Sequence, residues 1–93
     1  MISALCFVQV APGKVNDVGQ AMAQVNGIRS VYSVTGKIDM VALIEVVDHD
    51  RVAEVVNEGI GRIDGVQSTE THIAFKTYRP EDIDAGFSIG ADS

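Results

Sequence analysis

The chain has 93 residues, 46 % of them hydrophobic and 22 % charged, with a formal net charge of −6. That is one small domain, apolar enough to fold and able to bury roughly 60–68 % of its unfolded surface. No basic face is visible, which argues against duplex binding by the protein itself.

Ile2–Val10 carries β-branched and aromatic residues without a breaker and reads as a strand, ended by Pro12-Gly13. Val15, Val18, Met22 and Val25 then recur at helical spacing, and Asn26-Gly27 closes that helix. Ile28–Thr35 is a second strand. It runs into Gly36, where a positive φ suits a tight hairpin turn. Met40–Val47 is the third strand. Asp48 or Asp50 caps a second helix with the stripe Val52, Val55, Val56, Ile60 and Ile63. Gly59 and Gly61 weaken that helix, so its last turn is expected to be irregular. Asp64-Gly65 ends it. A fourth strand lies within Val66–Tyr78, and Pro80 is expected to stop it. Residues 1–79 form the folded domain and residues 80–93 an acidic tail, with four acids and no base.

The two halves match at an offset of 38 residues. Ala4-Leu5 aligns with Ala42-Leu43, Val8 with Val46, Val18 with Val56, Gly27 with Gly65 and Ser30 with Ser68. Each half is strand, helix, strand, so the expected fold is α+β, a ferredoxin-like βαββαβ sandwich. It has a four-stranded antiparallel sheet with two helices on one face. The first and third strands should lie at the sheet centre, and both are apolar on both sides. Ile2, Ala4, Cys6, Val8 and Val10 share one side of the first, with Leu5 and Phe7 on the other. Met40, Ala42, Ile44 and Val46 share one side of the third, with Val41, Leu43 and Val47 on the other. Two helices cover one face only, so the second face calls for a cover. A homodimer packed sheet against sheet would supply it. The tail, through Ile83, Phe87 and Ile89, is the alternative.

Most chemistry is absent. Cys6, flanked by Leu5 and Phe7, reads as a buried structural thiol, and one cysteine makes no internal disulfide. His49, between Asp48 and Asp50, reads as a solvated helix start rather than a metal ligand. His72 and Glu70 should pair on one strand face. No phosphate loop, Cys-x-x-Cys or nucleophile elbow occurs, and no cofactor is expected. Without a signal peptide or a membrane-length apolar run, the expected location is the cytoplasm. Gly36 and Asp39 admit two readings. Backbone N–H groups near a carboxylate can hold a small zwitterion, the N–H groups facing its carboxylate and Asp39 its ammonium. A bare Gly-x-x-Asp is equally a hairpin whose Asp caps its own turn. Thr69 and Thr71 share a strand face, where they are good strand formers or hydroxyl donors to a ligand.

The order of these signals carries a family likeness. An apolar strand, Pro-Gly and a short helix precede Asn-Gly-Ile-x-x-Val-Tyr-x-Val-Thr-Gly-x-x-Asp. A second apolar strand and helix lead to Asp-Gly-Val-x-x-Thr-x-Thr-x-Ile. Over residues 1–78 this resembles the effector-binding (RAM) domain of the Lrp/AsnC family of prokaryotic regulators. In that family a helix-turn-helix precedes this domain. Here the first strand begins at Ile2, so a stand-alone effector-domain protein is expected. The resemblance implies dimers built through the sheets and assembled into rings, often octamers. Amino acids or related small molecules would bind between dimers. It carries a ligand role to Gly36 and Asp39, with Tyr32, Val34 and Lys37 beside them and Thr69 and Thr71 from an adjoining subunit.

The expected function is a non-enzymatic, amino-acid-binding and oligomerisation module. It would act through ligand-dependent assembly or through mixed oligomers with full-length relatives. It would contact neither nucleic acid nor membrane. The alternatives are a small ferredoxin-like dimeric enzyme such as a monooxygenase, or a structural assembly module whose turn binds nothing.

Overall fold

A computed structural model describes residues 1–81. Strand β1 spans Ile2–Val10, helix α1 Val15–Ala23, β2 Ile28–Ser33 and β3 Met40–Val46. Helix α2 begins at His49–Glu54 and continues as a π-turn over Val55–Gly59 and a 3₁₀ turn over Ile60–Arg62. Strand β4 spans Val66–Ile73. The sheet order is β2-β3-β1-β4, and every neighbouring pair is antiparallel. This is the expected ferredoxin-like α+β fold, with the two doubly apolar strands at its centre.

Period-two alternation sorts the central strands. Ala4, Cys6 and Val8 of β1, and Ala42 and Ile44 of β3, have no exposure at all. They pack with Val18 and Met22 of α1 and with Val52, Val55 and Ile60 of the second helical segment. Burial pushes the Cys6 thiol above its ordinary value, and a hydrogen bond with Thr71 pulls the other way. On the uncovered side Leu5 faces Leu43 and Phe7 faces Val41. His72 and Glu70 pair there at 2.6 Å, and the His72 ring meets Phe7 edge-on with centroids 5.4 Å apart.

Several boundaries differ from the sequence reading, each for a local reason. Helix α1 stops at Ala23, where Gln24 N–H reaches back to the Ala21 carbonyl at 3.1 Å and Val25 N–H to the Met22 carbonyl at 3.0 Å. Val25 lies past the helix end and still packs on the core. Asp48, rather than Asp50, caps α2, accepting the Arg51 N–H at 2.9 Å. In the second helical segment Val52, Val55 and Ile60 are buried, whereas Val56 and Ile63 are only partly so. Val55 and Ile60 are five residues apart, a spacing that a regular α-helix would send to different sides. The π-turn brings both to the core. A Cβ on Gly59 would lie 2.6 Å from Val25, so only glycine admits this approach. Strand β2 ends at Ser33, β3 at Val46 and β4 at Ile73, short of Thr35, Val47 and Tyr78. Strand β4 ends near the start of its partner: Ala74 N–H bonds the Ser3 carbonyl at 2.9 Å, one residue from the first residue of β1, Ile2. Pro80 has no part in it. Ile83, Phe87 and Ile89 lie outside the described residues.

Candidate functional site

The β2–β3 connection runs through residues 34–39. It is longer than the tight hairpin that Gly36 suggests, although Gly36 does adopt φ 106°. Val34 N–H bonds the Asp39 carbonyl at 3.0 Å and closes the base of the turn. Asp39 N–H then bonds the Val8 carbonyl at 3.0 Å, and Asp39 Oδ2 accepts the Val10 N–H at 2.8 Å. Val10 lies past the start of β3, where no ladder carbonyl is left for it. The Asp39 carboxylate takes that place. Asp39 therefore caps the end of β1, not its own turn, and the connection between two strands is fastened to a third.

Among the described residues, the N–H groups of Thr35, Gly36, Lys37 and Ile38 have no internal acceptor. Successive free N–H groups at a turn favour an anion. The half-buried Asp39 carboxylate stands at their end. An arrangement of donors beside one fixed carboxylate is complementary to a molecule carrying both an anionic and a cationic group.

One residue here has no signal in a motif. Gln9 Nε2 donates to the Lys37 carbonyl at 3.1 Å, and Gln9 Oε1 accepts from Ser68 Oγ at 2.8 Å. The only trace in the sequence is a polar residue near the end of a strand that is apolar from Ala4 to Val8.

The remaining candidates are spread out. Tyr32 is exposed on the uncovered sheet face, across from Val41, and Ser30 Oγ donates to its hydroxyl at 3.3 Å. Val34 and Lys37 belong to the turn itself. Thr69 and Thr71 share the other face of β4, beside Val8 and Cys6. Strand β1 stands between them and the turn, so a single protomer does not bring the two threonines and Asp39 together. Two grooves among the described residues lie elsewhere. One of about 490 Å³ is lined by Met1, Val25, Val47, Arg51 and Val55 among others. Another of about 510 Å³ runs between α1 and β2. Neither is lined by residues 34–39. His49 opens α2, and no three metal-ligating side chains gather among the described residues. Among those residues no helix is long and apolar enough to cross a membrane.

Topology and turn together place the chain among ferredoxin-like α+β domains that carry a polar β2–β3 loop. Within that class it belongs to the Lrp/AsnC ligand binding domain family, whose model matches residues 3–83. It is 34 % identical over 76 residues to the HTH-type transcriptional regulator FL11 of Pyrococcus horikoshii, covering 82 % of this chain and 50 % of that one. The chain thus spans about half the length of the curated relatives it matches. The crystal structure of TTHA0845 from Thermus thermophilus superposes with a TM-score of 0.81 at 38 % identity, covering 85 % of this chain and 99 % of that one. The fold is shared with the regulator NMB0573 of Neisseria meningitidis, solved as an L-Met complex. The TM-score is 0.75 at 15 % identity, over 84 % of this chain and 52 % of that one. The curated relatives are named as HTH-type transcriptional regulators.

Proposed function

We propose that the chain is a non-enzymatic effector-binding and assembly module whose effector is an amino acid. The observation that carries this is the row of free N–H groups at 35–38 ending at the Asp39 carboxylate. The N–H groups suit the amino acid's carboxylate, and the second Asp39 oxygen suits its ammonium. Tyr32, Val34, Gly36 and Lys37 would border the bound molecule. Thr69 and Thr71, which one protomer holds apart from the turn, would reach it from an adjoining subunit. The apolar side of the sheet, with Leu5, Phe7, Val41 and Leu43, supports a homodimer formed face to face, and a ligand shared between dimers would favour higher oligomers. Mixed oligomers with full-length relatives would carry the signal to DNA. The L-Met complex of NMB0573 makes L-methionine the first probe.

A thermal-shift screen of the twenty amino acids, with sedimentation in parallel, tests this reading. At a hundred times its dissociation constant a ligand adds about 2.7 kcal/mol per site, enough to see in a melt. Asp39→Asn keeps an acceptor for Val10 N–H and removes the charge. It is expected to abolish the ligand-dependent shift and leave the unliganded melt close to the parent's. An unchanged ligand response in Asp39→Asn would place the site elsewhere.

A further inference from the structure

We infer that Gln9 is a positioning residue for the turn, setting the direction in which its donors face. The inference rests on the effector reading of the turn and names the residue that pre-organises it. The 3.1 Å bond from Gln9 Nε2 holds the Lys37 carbonyl against β1. A trans peptide is planar, with its N–H opposed to its C=O. Drawing the Lys37 carbonyl toward Gln9 therefore aims the Ile38 N–H away from it, out of the turn's internal bonding. That N–H adjoins Asp39, so Gln9 orients the donor next to the carboxylate.

Gln9 is itself fixed. Its Cα partner on β4 is Ser68, and the Ser68 hydroxyl donates to Gln9 Oε1 at 2.8 Å. This leaves the amide nitrogen as the group facing Lys37, since an amide has one acceptor end and one donor end. The chain of bonds Ser68 to Gln9 to Lys37 links residues 59 and 28 positions apart. It joins the turn to the strand that carries Thr69 and Thr71. Asp39 is held separately by Val10 N–H, so the donor half and the carboxylate half of the turn have different anchors on β1.

Two substitutions separate the anchors. Gln9→Met keeps length and removes both bonds. Gln9→Glu keeps the acceptor for Ser68 and loses the donor to Lys37. Amide NMR of the unliganded protein is expected to show the Gly36, Lys37 and Ile38 resonances shifted or exchange-broadened in both, with β1 and β3 unchanged. Ser68→Ala is expected to give a smaller effect of the same kind. Titration with L-methionine and with its carboxamide adds a readout that general destabilisation would not produce. Dissociation constants for L-methionine should rise about tenfold, the equivalent of one charge-assisted hydrogen bond. Those for the carboxamide, which has no carboxylate to meet the donors, should stay within about twofold of the parent's. Unaltered turn resonances in both variants overturn the inference, as does equal loss for the two probes. If L-methionine and its carboxamide leave the parent untouched, that count goes against the effector reading, and the resonances alone decide the role of Gln9.

Discussion

The two faces of the sheet are made from the same strands by alternate residues, and they differ in what covers them. On one, Ala4, Cys6, Val8, Ala42 and Ile44 are wholly buried under the helices. On the other, Leu5 remains 39 % exposed although it sits in the central strand opposite Leu43. Side chains of equal hydrophobicity thus have different roles. Those under the helices hold the protomer together. Those opposite contribute less to a protomer on its own, and in the proposed dimer they would supply the contact.

The largest expected effect is on the covered face. Ile44→Ala removes a fully buried side chain and should cost about 2–5 kcal/mol in urea unfolding. A loss below about 1 kcal/mol would mean that the helices pack loosely on β3. A middle effect is expected on the open face. Leu5→Asp puts a charge at the centre of the proposed dimer contact and should move sedimentation from dimer to monomer while circular dichroism holds. If the parent already sediments as a monomer, the open face is not an interface between copies. The smallest concerns Cys6. Its folded pKa is raised above the ordinary 9.0, so the folded form keeps its proton where the unfolded form loses it. The stability this gives is fully present below about pH 9 and declines as pH rises through the folded value. The stability difference between the parent and Cys6→Ala should be constant below that pH and change against the parent only above it, and a difference that begins to vary near pH 7 would contradict the burial argument.

Much of the fold is legible in the sequence because its signals are local or periodic. Alternation in Ile2–Val10 and Met40–Val46 picks out the central strands and their faces. Gly27 and Gly65, 38 residues apart, turn the chain from the two helical segments into β2 and β4 with φ 98° and 104°. The π-turn is not legible, because a five-residue step from Val55 to Ile60 looks like a defect in an α-helical stripe. The site is legible in part. Gly36 and Asp39 announce a turn with a carboxylate, but which N–H that carboxylate meets depends on where β3 begins relative to Val10. Gln9 and Ser68 are silent, since their bonds join positions far apart in the chain and belong to no motif. Thr69 and Thr71 appear as a pair, and the expected topology, with the first and third strands central, already sets β1 between them and the turn.

The register slip at Arg29 bears on how copies of this chain can meet. A four-stranded sheet has two free edges, and a free edge invites another strand. On β2 the ladder to β3 slips between Ile28 and Ser30, and Arg29 pairs with Glu45 at 2.8 Å. A slip of this kind bends a strand and breaks the run of evenly spaced donors and acceptors that an incoming strand needs. The other edge, β4, presents six consecutive polar residues from Gln67 to His72. Neither rim offers the long flat apolar template on which chains stack without limit. In the proposed face-to-face dimer, by contrast, a single partner would fill the open face, so that contact would close on a defined number of copies instead of growing into a fibre.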